Sequence, residues 1–252
     1  MIPALLIGRG GSTGFPNKNI TNFVGRPLMT YPIMAAKNSR LVDDIFISTD
    51  SQQIREIALK YGLKNIQRPP ELATNEALAE DAFAHGYREI KSLSKSNEIE
   101  FIVLLFCNGA CITPGIIDKG IEFMRNDKEM KYDSAATSSL YNMWSPLRAK
   151  KIINNTLEPF FPIDMFENVS CDRGSQGECW FADCSAFIVR PKCLEDLEYG
   201  ENPFRWMGRK VYPLKQWGGL DLDFEWQRGQ VEYWLKKNGF SETNTPYNKN
   251  LE

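Results

Sequence analysis

The residues best suited to chemistry lie in the opening stretch GRGGSTGFPNKN, positions 8–19. Its glycines allow backbone N–H groups to approach a ligand closely and to point together at an anion. Arg9 and Lys18 bring positive charge to this loop, and Ser12 adds a hydroxyl donor. Such a site suits phosphate binding and electrostatic stabilisation of phosphoryl transfer. A glycine turn with two solvated cations is the alternative, and composition alone leaves both open.

Two familiar phosphate-binding motifs do not fit this loop. The pattern G-x-x-x-x-G-K-[ST] needs a Gly-Lys pair that the loop lacks. The pattern G-x-G-x-x-G, begun at Gly8, would need glycine at the position of Thr13. The loop must therefore be interpreted from its donors and its charges.

A second group of chemically capable residues is GGLDLDFEW, positions 218–226. In an extended segment Asp221 and Asp223 point to one side and Leu222 to the other. Two carboxylates behind a flexible Gly218-Gly219 pair are hard oxygen ligands that suit Mg²⁺ together with substrate phosphates. Alternatively, Asp223 caps the helix that follows.

The elements that must position these residues alternate between strands and helices over the first 140 positions. The predicted strands are ALLIG, DDIFISTD, IEFIVLLFC and YDSAATSSL. The predicted helices are PLMTYPIMAAKNS, SQQIREIALKYGL, EALAEDAFAHGYREIKSL and PGIIDKGIEFMRN. This alternation predicts an α/β fold with a doubly wound, mainly parallel sheet, which binds ligands beyond the carboxyl ends of its strands.

The pattern loosens over residues 141–180, which we interpret as an insertion over the site and a dimer contact. Within it, LRAKKII-NN-TLEPFF predicts a hairpin that turns at Asn154-Asn155. Arg148 and Lys150 suit either a basic rim for an anionic acceptor or a solvated surface. A core strand, CWFADCSAFIVRP, and a last helix, FEWQRGQVEYWLKKNG, follow.

Composition limits the function classes. With 252 residues, 42% hydrophobic and 25% charged, the chain is expected to form one domain over 1–252. A net charge of −2 gives no basic excess for a nucleic-acid backbone. No apolar run long enough for a membrane span or a signal peptide is present, so a cytoplasmic location is expected. The six cysteines form no C-x-x-C pair and are expected to be free thiols, and the single histidine, His85, is expected to be structural.

Taken together, these residues resemble the cytidylyltransferases that make CMP-activated acid sugars, such as the N-acylneuraminate, legionaminate and pseudaminate enzymes. GRGGSTGFPNKN is similar to the opening A-R-G-G-S-K-G-x-x-x-K-N of that family. RPPELAT is similar to its R-P-x-x-L-A motif, and DLD to its metal-binding D-x-D. The likeness is strong over residues 1–81 and returns in patches to about 235.

The resemblance implies a Rossmann-like fold of the nucleotide-diphospho-sugar transferase type, a homodimer and a Mg²⁺-dependent reaction. In that reaction CTP and an anionic small-molecule acceptor give a CMP-acceptor and pyrophosphate. A nonulosonic acid acceptor, for bacterial surface-glycan synthesis, is the first expectation. A phosphorylated acceptor such as phosphoglutamine, as used in capsule phosphoramidate synthesis, is the alternative. A non-catalytic nucleotide-binding partner is an alternative of another class.

Site residues follow from the same resemblance. Arg9, Lys18, Asp221 and Asp223 would be catalytic, and the two aspartates would hold the metal. The acceptor would meet Asn108 and Arg173, with Arg148 added from the basic rim considered above. The nucleotide would meet Gly8, Arg9, Gly10, Gly11, Ser12, Thr13, Lys18, Asn19 and Arg68.

Several positions depart from the family pattern. Thr13 stands where the family has a lysine, and Asn75 and Ala79 stand where it has D-x-x-x-S. The family's Q-P-T-S-P is replaced by FCNGACITP, which puts Asn108 roughly at the acceptor-contacting glutamine. Asp183 replaces an asparagine. Most of these changes fall on the acceptor side, so they bear on which acceptor is used.

Overall fold

The chain folds around one mixed sheet, and the computed structural model describes residues 1–247 except 12, 95–97, 163, 165 and 166. The described strands are β1 (Ala4–Ile7), β2 (Asn22–Phe23), β3 (Arg26–Pro27), β4 (Ile45–Thr49), β5 (Lys64–Gln67), β6 (Ile102–Phe106), β7 (Ser134–Leu140), β8 (Lys150–Ile153), β9 (Thr156–Pro159), β10 (Trp180–Val189) and β11 (Val211–Gln216). The described α-helices are α1 (Thr30–Asn38), α2 (Gln52–Lys60), α3 (Ala79–Leu93), α4 (Pro114–Asn126), α5 (Lys192–Glu195) and α6 (Arg228–Lys237).

The central sheet has seven described strands in the order β11-β7-β10-β6-β1-β4-β5. Neighbours run parallel except at β10, which is antiparallel to both β6 and β7. The predicted α/β fold class with a mainly parallel sheet is therefore confirmed. The reversal of β10 was not predicted. It arises because no α-helix in the described residues between β7 and β10 carries the chain back across the sheet, so β10 starts at the edge where β7 ends.

Helices cover both faces of the sheet, and β1 shows how the sequence arranges this. Ala4 and Leu6 pack into one core cluster with α1, α2 and α4, whereas Leu5 and Ile7 pack into another with α3. Alternate residues of a strand face opposite sides, so an uninterrupted apolar run is what a strand buried on both faces requires. The same holds for β6, whose sequence IVLLF is apolar throughout and which lies beside β1 near the centre of the sheet.

The region 141–180 forms its own small sheet. Strands β8 and β9 pair in antiparallel register around Asn154 and Asn155, whose φ angles of 50° and 63° are those of a tight hairpin turn. The predicted hairpin is therefore confirmed. The role of residues 141–180 as a cover for the site stays a prediction.

The remaining expectations concern thiols and membranes. All six cysteines are free, and Cys107, Cys111, Cys184 and Cys193 are buried. In the part of the chain that is described, no helix combines the length and the apolar character needed to cross a bilayer.

Candidate active site

The candidate site lies at one edge of the sheet, where β1, β4, β6, β7 and β11 all end. The chain leaves β1 and then builds β4 and β5 on one side of it, whereas β6 lies on the other side. Such a switch in strand order opens a crevice at the carboxyl ends of the strands, where open α/β sheets bind ligands. The loops that follow β1, β6 and β11 meet at this crevice.

A cleft of about 400 Å³ occupies the crevice. It brings together nine of the residues predicted for the site, from segments far apart in the sequence. These are Gly8, Arg9, Thr13, Lys18, Asn19, Arg68, Asn108, Asp221 and Asp223. Its apolar part is formed by Ile7, Leu72, Ala77, Leu78, Ala79, Ala82, Phe106 and Phe224.

The loop after β1 is anchored at several points. The N–H of Gly10 donates to Oδ1 of Asp50 at 3.0 Å, and Nη1 of Arg9 donates to the carbonyl of Thr74. At Gly14 a Cβ would lie 2.7 Å from the carbonyl oxygen of Asp223. Glycine is required there because the loop runs directly against the segment that carries the carboxylates.

Residues 221–223 alternate as predicted. Leu222 is 0% exposed and packs in a core cluster with α6, whereas Asp221 and Asp223 line the cleft. Oδ1 of Asp223 lies 2.6 Å from Nζ of Lys18. This carboxylate is thus engaged by a cation of the first loop, and the short helical segment that follows begins after Phe224. The alternative that Asp223 serves as a helix cap is therefore wrong.

Hydrogen bonds hold the glycine pair that precedes the carboxylates. Oγ of Ser139 accepts from the N–H of Gly219 at 2.9 Å, and the hydroxyl of Tyr141 donates to the carbonyl of Gly219 at 2.9 Å. One position earlier than the pair, Nε1 of Trp234 donates to the carbonyl of Trp217 at 3.0 Å. Side chains of β7, its following residue and α6 thus bond the backbone on both sides of Gly218. The flexibility of the Gly218-Gly219 pair stays a prediction.

Asp183 holds Ser139, and through it Gly219, by hydrogen bonds. Its buried carboxylate accepts from Oγ of Ser139 at 2.7 Å and from Nε2 of Gln216 at 2.9 Å. The same carboxylate accepts from the N–H of Ser185 at 3.1 Å. A Cβ on Gly219 would overlap both Asp183 and Gln216, so only glycine fits. In the sequence, Asp183 stands out only as a departure from the family pattern. Its contacts with Ser139 and Gln216 were not predicted, because β10 was not expected to begin at the edge of the sheet where the site lies.

The carboxylates interact electrostatically. Burial, and then the charge of Asp223, raise the pKa of Asp221 to about 6. A cation held between Asp221 and Asp223 would stabilise the ionised carboxylates against burial and against their mutual repulsion. Carboxylate oxygens are the ligands that Mg²⁺ prefers. No group of three or more His, Cys, Asp or Glu side chains among the described residues is arranged to hold a metal. Asp221 and Asp223 could therefore hold a Mg²⁺ ion only together with ligands from water or phosphate.

Two further polar side chains face the cleft from buried positions. Arg68 is only 4% exposed; its Nε and Nη2 donate to Ser48, and burial lowers the pKa of its guanidinium. Nδ2 of Asn19 donates to the carbonyl of Arg9 at 3.4 Å, whereas its buried Oδ1 has no partner among the described residues.

Not every predicted residue comes to the cleft. Arg148 donates within the region 141–180, to Oε1 of Gln176 at 3.1 Å and to the carbonyl of Cys171 at 2.9 Å. Gly11 lies in the first loop with a φ of 75°. Ser12 and the side chain of Arg173 lie outside the described part of the chain. Asp50 was missed, and its only sequence signal is its position directly after β4.

A family model described as cytidylyltransferase matches residues 3–158. The chain is 35% identical over 144 residues to a pseudaminic acid cytidylyltransferase of Campylobacter jejuni (serotype O:23/36, strain 81-176), which covers 56% of this chain and 58% of that protein. It is 43% identical over 83 residues to an N-acylneuraminate cytidylyltransferase of Streptococcus agalactiae (serotype III), which covers 32% of this chain and 19% of that protein. The matches thus span less than two thirds of these relatives.

Among solved structures, the chain is similar to CMP:2-keto-3-deoxy-manno-octonic acid synthetase complexed with CTP. The TM-score is 0.64 and the sequence identity 13%, with 94% of this chain and 98% of the other covered. At that identity the likeness concerns the fold alone. It agrees with the sheet described above.

The contact of Gly219 with Asp183 leads to a stability prediction. We expect Gly219→Ala to lower the free energy of unfolding by about 1–3 kcal/mol, because the added methyl group overpacks a buried polar network. Gly115→Ala is the matched control, since a Cβ there meets nothing within 4 Å. Urea unfolding measures both. Equal stabilities of the two variants would contradict the proposed packing.

The raised pKa of Asp221 leads to a prediction of pH dependence. The folded chain holds this proton up to about pH 6, but the unfolded chain releases it near pH 4. The resulting stability is present below about pH 4 and is lost as the pH rises through 6. In EDTA we therefore expect Asp221→Asn to raise the Tm by roughly 2–4 °C at pH 8, and this gain to shrink on acidification. A variant no more stable than the parent chain at pH 8 would contradict this.

Proposed function

The chain belongs to the cytidylyltransferase family, and we propose that it transfers CMP from CTP to an anionic small-molecule acceptor with release of pyrophosphate. The observation that carries the proposal is one cleft that Arg9 and Lys18, from the loop after β1, line together with Asp221 and Asp223. Such a cleft suits a polyanion that arrives with a divalent cation.

The chemistry divides between bond making and charge neutralisation. A deprotonated acceptor oxygen forms a bond to the α-phosphorus, and the bond from that phosphorus to the bridging oxygen breaks, so pyrophosphate leaves with the electron pair. Arg9 and Lys18 would hold the phosphate oxygens, because both are basic side chains that line the cleft. Positioning and charge neutralisation then carry the catalysis.

Asp221 and Asp223 would hold Mg²⁺ in this proposal. When bound, the ion supplies neutralisation and orientation of the phosphate oxygens. Lys18, which now pairs with Asp223, would turn towards the phosphates when they arrive. The apolar wall formed by Leu72, Ala77 and Leu78, next to Arg68, would receive the base, and Oδ1 of Asn19 would accept from a donor of the nucleoside.

For the acceptor we propose a nonulosonic acid, used in bacterial surface-glycan synthesis. The matched relatives are named for pseudaminic acid and N-acylneuraminate, which belong to this class. We propose a cytoplasmic setting for the reaction. Six free thiols, one of them exposed and one partly exposed, suit a reducing compartment.

Pyrophosphate release tests the proposed activity. With CTP, Mg²⁺ and a panel of nonulosonic acids and phosphorylated acceptors, we expect turnover with at least one nonulosonic acid. Asp221→Asn and Asp223→Asn should each reduce the rate roughly 100-fold, because each removes a metal-holding carboxylate. Asp44→Asn, at the opposite end of β4, should leave the rate unchanged. CTP binding without release for any acceptor would favour a non-catalytic nucleotide-binding partner and contradict the proposal.

We propose further that two copies associate through the β8–β9 hairpin. Ile152 and Leu157 are directly paired across it and are 74% and 69% exposed, a costly arrangement for a hairpin left in water. A second copy that covers them would remove that cost.

The hairpin pair gives a test of assembly. We expect the parent chain to be a dimer by light scattering, and the double variant Ile152→Lys/Leu157→Lys to be a monomer with an unchanged circular dichroism spectrum. Thr156→Lys, on the same hairpin, is the control and should remain dimeric. A dimeric double variant would contradict this interface.

A further inference from the structure

We propose that Asn108 is a positioning residue that holds Asp221 and Asp223 in the geometry needed for a metal ion. The inference rests on the proposed function and deepens it. It also assigns Asn108 a different role from the acceptor contact expected from the sequence.

The evidence is a pair of reciprocal hydrogen bonds between Asn108 and Leu222. The N–H of Leu222 donates to the carbonyl of Asn108 at 3.1 Å, and Nδ2 of Asn108 donates to the carbonyl of Leu222 at 2.9 Å. Asn108 is buried, at 8% exposed, and Leu222 is fully buried. One residue thus satisfies both backbone groups of Leu222 away from water, which makes the contact costly to lose.

These two bonds fix the part of the backbone that matters for the carboxylates. The N–H of Leu222 belongs to the peptide unit shared with Asp221, and its carbonyl belongs to the peptide unit shared with Asp223. Asn108 therefore fixes the orientation of both peptide planes between the two acidic residues. Since residues 221–223 belong to neither a helix nor a strand, no regular ladder does this instead.

Other contacts hold this loop before Leu222 and support Asn108 after it. Ser139 and Tyr141 hold Gly219, which lies before the two peptide units. Oε1 of Gln227 accepts from the N–H of Asp223 at 2.8 Å, and this N–H belongs to the same peptide unit as the carbonyl of Leu222, so Gln227 and Asn108 hold that unit together. Among the described hydrogen bonds, those of Asn108 alone hold Leu222.

Asn108 is itself held firmly. It follows β6, and its neighbours are tied to the sheet: the N–H of Cys107 donates to the carbonyl of Ile7 at 3.0 Å, and that of Gly109 donates to the carbonyl of Phe106 at 3.0 Å. The carboxylates are thereby held in a fixed position relative to β1 and β6, the strands that flank the cleft. Its Nδ2 is committed to Leu222, so Asn108 acts through the carboxylates. Groups of this kind, which orient metal ligands, commonly change metal affinity 10–100-fold when removed.

The test separates the metal-dependent part of nucleotide binding from the rest. The Kd for CTP, without any acceptor, is measured by calorimetry once in EDTA and once in saturating Mn²⁺. We expect Asn108→Ala to keep the parent Kd in EDTA and to bind roughly tenfold more weakly in Mn²⁺. Asn108→Asp, which fills the same volume without the donor, should behave alike, and the exposed Asn126→Ala should match the parent in both conditions. Thermal unfolding verifies that each variant is folded.

A double-mutant comparison adds a readout that general destabilisation would not produce. In the Asp221→Asn/Asp223→Asn background, Asn108→Ala should have no further effect on the Mn²⁺-dependent binding, because both carboxylates that it positions are gone. Parent-like binding of Asn108→Ala in Mn²⁺, or an equal loss in EDTA and Mn²⁺, would overturn the inference. Failure of the proposed function itself looks different: the parent chain would then show no CTP binding, or none that Mn²⁺ strengthens.

Discussion

The ion pair between Lys18 and Asp223 joins two loops that lie 205 positions apart in the sequence. Its 2.6 Å separation requires that the loop after the first strand and the loop after the last strand touch. Gly14 permits that contact by leaving room for the carbonyl of Asp223, and Leu222 secures it by filling the core behind. The shape of the cleft thus depends on the attraction between opposite charges on two loops at the carboxyl ends of the strands.

This pair also explains how the cleft accommodates charged side chains. Lys18 and Asp223 each neutralise the other, and Asp50 accepts from an amide of the same loop. The cost of desolvating an isolated charge is thereby avoided.

Much of this could be predicted from the sequence because the relevant signals are local. The glycines and cations after β1, the alternation of Asp221, Leu222 and Asp223, and the Asn154-Asn155 turn all carry their meaning within a few residues. What could not be predicted depends on pairing at long range. The direction of β10, and with it the position of Asp183 beneath Gly219, is decided by the edge at which the chain re-enters the sheet.

The role of Asn108 was hidden for a similar reason. A single asparagine after a strand shows no partner in the sequence, and its partner Leu222 lies 114 positions later. Site residues that bind a ligand through side-chain charge can be recognised in the sequence by their residue type. Residues that hold another loop in place cannot be recognised in this way. The contacts of Gly218-Gly219 are another example. Two adjacent glycines suggest a flexible backbone, and the sequence does not show that Ser139 and Tyr141 form hydrogen bonds with Gly219.

The reversed direction of β10 has a further consequence for how such a molecule can diversify. β7 ends and β10 begins at the same edge of the sheet, and the N–H of Tyr141 donates to the carbonyl of Cys179. The residues between these strands therefore leave the central sheet and return to it at adjacent positions. That stretch can lengthen, shorten or be exchanged without altering the register of the seven strands of the central sheet. Evolution is thereby free to remodel the residues between β7 and β10 while the central sheet stays constant.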